Sequence, residues 1–252
     1  MEWLADNDLL MRYSRQILLP QFDVEGQDKL LDARVLVIGM GGLGTPVGMY
    51  LAGAGVGELV IADHDQVDLS NLHRQVIHTT ADIERPKVES AREQMLAINP
   101  TIKVTVIEAA LNTDSLSKWV EQATVVVDAS DNFATRFAIN AACVKAKVPL
   151  VSGAAIRLEG QLTVYDSRDP DSPCYRCLFS DETGEEESCS QTGVLGPVVG
   201  TIGSLQALEA IKLITGIGEP LVGRLLLFDA MQSEWQRLRL KRDPDCPVCG
   251  EP

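Results

Sequence analysis

Two hydrophobic rhythms divide the chain. Up to about residue 155, short apolar runs alternate with longer amphipathic stretches. RVLVIG (34–39), ELVIAD (58–63), KVTVIEA (103–109), ATVVVDAS (123–130) and VPLVSGA (148–154) have the length and apolarity of strands buried in a parallel sheet. Between them, a segment from about Leu43, the proline-bracketed PKVESAREQMLAINP (86–100), and residues 115–122 and 134–146 predict helices. Beyond 155 the pattern changes. EGQLTVYD (159–166), LLLFDA (225–230) and SEWQRLRL (233–240) predict antiparallel strands that extend the sheet. The acidic run SDETGEEES (180–188) predicts a surface loop, and an apolar helix follows it up to residue 215. The expected fold class is α/β, a Rossmann-like, mostly parallel sheet extended by antiparallel strands.

Composition narrows the picture. In 252 residues, 45% are hydrophobic and 23% charged, which fits a chain with a sizeable core and excludes a largely disordered one. The net charge of −14 repels polyanions, so a general nucleic-acid binder is not expected, although backbone N–H groups and a few cations can still hold an anionic nucleotide. No cationic start precedes an apolar segment at the N-terminus, and a cytoplasmic location is expected. The uncharged stretch 188–208 contains Gly193, Gly196, Pro197, Gly200 and Gly203 and reads as a buried core helix, so no membrane partner is expected.

GMGGLG sets Gly39, Gly41 and Gly44 at G-x-G-x-x-G spacing between a predicted strand and helix, with Gly42 inside the loop. Asp63 ends the next strand, where a carboxylate can accept hydrogen bonds from ribose hydroxyls. Together they point to an adenine nucleotide; the alternative is a turn that only allows tight helix packing. Asn71 and Arg74 in DLSNLHRQ, and Lys87 in ERPKVESAR, would bring polar and cationic groups to a triphosphate, or be solvated side chains. Asp131 in DASDN, at a C-terminal strand end, is a candidate for Mg²⁺ or for the N-cap of the next helix.

The cysteines carry a more specific signal. CYRC and CPVC place Cys174, Cys177, Cys246 and Cys249 as two C-x-x-C pairs, the pattern of a closed, structural Cys₄ zinc site in the C-terminal part; unrelated or redox-active pairs are the alternative. Cys143, inside a predicted helix, reads as core. Cys189, beside the acidic run, is either an acceptor thiol for a bound acyl group or a bystander. His64, His73 and His78 show no ligand spacing.

RYSRQILLPQF, GMGGLG, ADHDQVDLSNLHRQ, RPKVESAR, ASDN, the two C-x-x-C pairs and GPVVGTIGSLQALEAIKL follow one another from about Arg12 to Cys249. In this the chain resembles the MoeB/ThiF/HesA family. The resemblance implies ATP-dependent adenylation, with Mg²⁺, of a small ubiquitin-like sulfur-carrier protein ending in Gly-Gly. It puts Asp63 on the ribose, Arg74 and Lys87 on the triphosphate, Asp131 on Mg²⁺ and zinc on the four cysteines. It makes the protein a homodimer in which Arg15 reaches the neighbouring subunit's site. It also implies one domain over 1–252: an N-terminal helical arm (1–30), a nucleotide-binding half (31–155) and a zinc-stapled, carrier-binding half (156–252). Within the family the molybdopterin (molybdenum cofactor) branch is preferred to the thiamine branch. In the thiamine branch a cysteine at the Cys189 position takes a covalent role and an arginine commonly stands where this chain has Ser190. An NAD-dependent oxidoreductase and a non-catalytic nucleotide-binding scaffold are the rivals from other classes.

Overall fold

A computed structural model describes residues 2–179 and 192–250. Two helices open the chain, α1 (Asn7–Ile17) and α2 (Asp23–Asp32). Asp6 caps α1 by accepting hydrogen bonds from the N–H groups of Asp8 (2.9 Å) and Leu9 (3.2 Å). Then strands and helices alternate: β1 (Arg34–Ile38), α3 (Gly44–Ala54), β2 (Glu58–Ala62), α4 (Lys87–Ile98), β3 (Lys103–Ile107), α5 (Thr113–Val120), β4 (Val125–Asp128), α6 (Phe133–Ala146) and β5 (Leu150–Ile156). The second part holds β6 (Glu159–Tyr165), the single turn α7 (Tyr175–Leu178), α8 (Gly196–Thr215), β7 (Arg224–Asp229) and β8 (Glu234–Arg239). From β1 to β6, and for β7 and β8, the strands and helices match the sequence-predicted elements to within a few residues at their ends; α1 and α2 resolve the expected N-terminal helical arm, and the turn α7 has no predicted counterpart.

The strands form one sheet in the order β3-β2-β1-β4-β5-β6-β7-β8, parallel from β3 to β5 and antiparallel beyond. Strand order reverses between β1 and β4. The chain enters β2 on one side of β1 and returns to β4 on the other, which opens a crevice at the carboxyl ends of these strands. The unbroken apolar runs follow from burial on both faces. Val35 and Val37 pack with Leu51, Ile61 and Met95 on the side of α3 and α4, while Leu36 packs with Val60, Val126 and Ile139 on the side of α5 and α6.

Helix α8 has the length and apolarity of a membrane span by composition, but here it lies against α3 and the sheet. Its polar residues are engaged: Gln206 Nε2 donates to the Asp128 carbonyl (2.7 Å), and Glu209 accepts from Lys212 Nζ (2.6 Å) and the Leu221 N–H (2.7 Å). The close approach of α3 and α8 is made at Gly203, where a Cβ would fall 2.4 Å from the Leu43 carbonyl oxygen. The acidic run 180–188 and Cys189 lie outside the described residues.

Candidate nucleotide site and cysteine cluster

The crevice is a cavity of about 1010 Å³, and it gathers Gly39, Gly41, Gly42, Asp63, Asn71, Arg74, Lys87 and Asp131 from β1, β2, β4 and the segments that follow them. The glycines divide their work. Gly39 sits at φ +96°, and a Cβ there would lie only 2.6 Å from the Ala129 carbonyl oxygen; Gly44 would place a Cβ 1.8 Å from the Gly39 carbonyl oxygen. Gly41 has room, since a Cβ there would meet only the Gln75 amide, at an ordinary contact distance of 3.7 Å. Gly39 and Gly44 therefore fold the loop, and Gly41 leaves room for a ligand. Gly44 is not among the cavity-lining residues, so for it the tight-packing alternative holds.

Asp63 is oriented by backbone: its Oδ2 accepts from the Met40 N–H (2.7 Å) and its Oδ1 from the Asp65 N–H (2.8 Å). Each carboxylate oxygen has a further lone pair for a ribose hydroxyl. Asn71 closes a capping box with Asp68, its Oδ1 accepting the Asp68 N–H at 3.2 Å. The half-buried Arg74 donates to the Ser70 carbonyl at 2.9 Å. Lys87 opens α4, and its buried ammonium lies 2.7 Å from Asp65 Oδ2. Burial pushes the Asp65 carboxyl upward, but the hydrogen bond and charge of Lys87 outweigh it and hold the group below the ordinary carboxylate range. The pair is preformed, and a triphosphate would compete with Asp65 for this cation.

Asp131 is exposed at the cavity edge, and the cap of α6 is its neighbour: Asn132 Oδ1 accepts the Thr135 N–H at 2.9 Å. The N-cap alternative for Asp131 thus falls away. Behind the loop, Asp128 accepts from Ser130 Oγ (2.6 Å) and N (3.0 Å), and Arg136 Nη2 donates to the Ser130 carbonyl (2.8 Å). Burial drives the Asp128 carboxyl upward against the opposing charge of Arg136. Arg15 is exposed on α1 and does not line the cavity of its own chain.

Cys174, Cys177, Cys246 and Cys249 converge, with all four sulfurs within 4.8 Å of one another. Sγ–Sγ distances are 3.7 Å for Cys174–Cys246, 3.9 Å for Cys174–Cys177 and 3.4 Å for Cys177–Cys249. A tetrahedral ion with bonds of ~2.3 Å to sulfur gives edges of ~3.8 Å, so the residues fit a zinc-sized ion without an open position. N–H groups point at the sulfurs as they do at thiolates: Cys174 N (3.4 Å) and Asp243 N (3.5 Å) at Cys177, and Asn140 Nδ2 (3.6 Å) at Cys174. Burial pushes the Cys249 thiol up, and metal binding to such a group releases its proton. Cys143 is buried in α6, as expected of a core residue.

A profile of the ThiF family matches residues 13–248. The chain belongs to the ThiF family. It is 49% identical over 249 residues to the molybdopterin-synthase adenylyltransferase of Salmonella typhimurium, covering 98% of this chain and 99% of the relative. It is 52% identical over 247 residues to the sulfur carrier protein ThiS adenylyltransferase of Escherichia coli, covering 98% and 97%. Among solved structures, that of E. coli MccB with ATP superposes with a TM-score of 0.84 at 27% identity, covering 95% of this chain and 73% of that one.

For this ThiF-family chain, sequence reasoning named the groups facing the cavity but missed those behind them. Asp65, which holds Lys87, is legible only as one more acid in ADHDQVD. Arg136 looks like any helical cation until the fold sets it against Asp128 and Ser130. His78, without ligand spacing in the sequence, is buried, with Nδ1 2.8 Å from Ser90 Oγ and Nε2 3.3 Å from the Met40 carbonyl of the glycine loop. The cavity is lined by Arg74, Lys87 and Arg136 and by several carboxylates, Asp63, Asp65 and Asp131 among them.

Proposed function

We propose that the chain activates the C-terminal glycine of a small ubiquitin-like sulfur-carrier protein as an acyl-adenylate, with ATP as co-substrate. The observation that carries this is the convergence of Gly41, Asp63, Arg74, Lys87 and Asp131 on one cavity. The carrier's carboxylate oxygen attacks the α-phosphorus. A new P–O bond forms, the bond to the bridging oxygen breaks, and pyrophosphate leaves with the electron pair. The nucleophile is already ionised at neutral pH, so no general base is required. Asp63 holds the ribose, the Gly41 region admits the phosphates, and Arg74 and Lys87 draw charge toward the departing pyrophosphate. Asp131 would hold Mg²⁺, which neutralises phosphate charge when bound. The four cysteines would hold zinc as a structural staple. Cys189 is not required for adenylation, whatever later role its thiol has.

Arg15 completes the cation set from the neighbouring subunit of a homodimer; its exposure outside its own chain's cavity supports this reading. The protein acts in the cytoplasm, and its carrier belongs to molybdopterin synthesis. The 52% identity to the ThiS adenylyltransferase favours a thiamine carrier as the second reading.

Carrier-dependent ATP–pyrophosphate exchange tests the class and the partner together, and the ratio of kcat/KM for the two carriers decides between the branches. Asp131→Ala and Lys87→Ala should each lower exchange by about 10²–10³-fold, the loss typical of a group meeting transition-state charge. No exchange with any Gly-Gly carrier would overturn the assignment. Arg15→Ala and Asp131→Ala chains, each inactive, should regain about a quarter of wild-type activity when co-expressed, because half of randomly paired dimers are mixed and each has one intact site. Mixed dimers without recovery would exclude action across the interface.

A further inference from the structure

The glycine loop is braced from behind by a buried histidine. His78 is not among the cavity-lining residues, whereas Gly41 is. The ring's Nε2 lies 3.3 Å from the Met40 carbonyl oxygen and its Nδ1 lies 2.8 Å from Ser90 Oγ. Met40, His78 and Ser90 are all buried. A carbonyl oxygen only accepts, so Nε2 carries the proton and Nδ1 accepts from the Ser90 hydroxyl. Burial lowers the pKa of the ring from its ordinary value and keeps it in this neutral form at pH 7. Ser90 stands three residues after Lys87 on α4, so His78 ties the loop to the helix turn that carries this cation.

The carbonyl that His78 holds belongs to the Met40–Gly41 peptide. That peptide is trans, so its N–H points opposite to its C=O. With the carbonyl turned inward to His78, the Gly41 N–H is turned outward, to the side of the cavity. Among the described residues it has no hydrogen-bond acceptor. We propose that His78 is a positioning residue for the nucleotide: it holds the Met40–Gly41 peptide so that the Gly41 N–H donates to a phosphate of ATP. The preceding peptide serves the ribose side, since the Met40 N–H donates to Asp63 Oδ2 at 2.7 Å. Bracing Met40 thus fixes both contacts at once, and a donor fixed before the ligand arrives costs no reorganisation on binding. This role rests on the reading of the cavity as an ATP site.

The test joins titration calorimetry of the full chain with Mg²⁺–ATP to NMR of the ¹⁵N-glycine-labelled protein, in which Gly41→Ala assigns the Gly41 amide. In wild type the Gly41 amide proton should move downfield as Mg²⁺–ATP saturates the site, the signature of a charge-assisted hydrogen bond. His78→Leu should lose that shift and bind Mg²⁺–ATP about tenfold more weakly, the worth of one hydrogen bond to a charged group. His78→Gln, whose amide can donate to the same carbonyl, should keep the shift and stay within about threefold of wild-type affinity. Wild-type affinity in His78→Leu, or equal losses in the two variants, would overturn the role of His78. If His78→Leu fails to fold, an unmoved Gly41 amide in ATP-saturated wild type would overturn it alone. A wild type that binds no Mg²⁺–ATP would instead remove the nucleotide reading beneath it.

Discussion

Strands β1 and β8 show how differently the two halves of this chain are held. In β1, Val35, Leu36, Val37 and Ile38 are buried, with helices covering both faces of the sheet. In β8 every residue from Glu234 to Arg239 is exposed, Trp235 and Leu238 among them. Strand β8 is kept in place by its ladder to β7 and by the Phe228–Trp235 stack, at 4.4 Å between centroids. The segment beyond it returns to Cys174 and Cys177 through Cys246 and Cys249. Apolar burial on both faces fixes β1; β8, bare on both, hangs on one ladder and on the segment that ends at the four-cysteine junction. A metal is most useful where the apolar area that can be buried is small.

The largest effect should come from breaking the junction. Cys174→Ser, or removal of the metal by a chelator, is expected to cost at least ~3 kcal/mol, or about 6–12 °C in melting midpoint for a chain of this size. Limited proteolysis should then cut first beyond residue 156. An unchanged midpoint in protein shown to be metal-free would mean that the antiparallel half holds itself without an ion.

A smaller contrast lies within the glycine loop of the parallel half. Gly44→Ala forces a Cβ to 1.8 Å from the Gly39 carbonyl oxygen and should destabilise by about 2 kcal/mol or more. Gly41→Ala makes only an ordinary contact with the Gln75 amide and should leave stability within ~0.5 kcal/mol while weakening ATP binding about tenfold or more. Thermal melts and ATP titration of both variants check this. Equal melting midpoints would end the division between a folding glycine and a ligand-facing glycine.

The smallest effect concerns His78, beneath the loop. Burial lowers its pKa from the ordinary value, the Met40 carbonyl opposes this, and the charge of Lys87 adds to the lowering. A folded pKa below the unfolded one means that the unfolded chain takes up the proton first. The contribution to stability is therefore present above pH ~6.5 and lost as pH falls toward the folded pKa. His78→Gln should flatten the decline of the melting midpoint between pH 6.5 and 5. Asp65 and Asp82, whose pKa values are lowered, titrate below that window. Parallel profiles for wild type and variant would show that His78 is not the group responsible.

Much of this was legible in the sequence because it depends on local rules. A strand buried on both faces must be apolar throughout, so RVLVI and VVVD announce themselves. A loop whose backbone must turn at φ +96° needs glycine, so Gly39 does too. Two C-x-x-C pairs are the spacing of a closed four-cysteine site, so the cysteines do as well. SEWQRLRL was readable as a strand, but its alternation could not tell that neither face would be covered, because cover is supplied by elements distant in sequence.

Charge pairing belongs to the same class of unreadable facts. Lys87 and Asp65 are separated by a loop and a turn, and only the parallel crossover sets them 2.7 Å apart. Arg136 becomes a support for the Asp131 loop only because α6 docks beside β4 and the cysteine turn closes over it. The sequence by itself named the candidates for phosphate, ribose and metal, since candidacy follows from side-chain chemistry and short-range spacing. The tertiary structure alone decided which of them meet, which are already paired and which are held from behind, since those depend on the path of the backbone through the sheet and on the dielectric that burial creates.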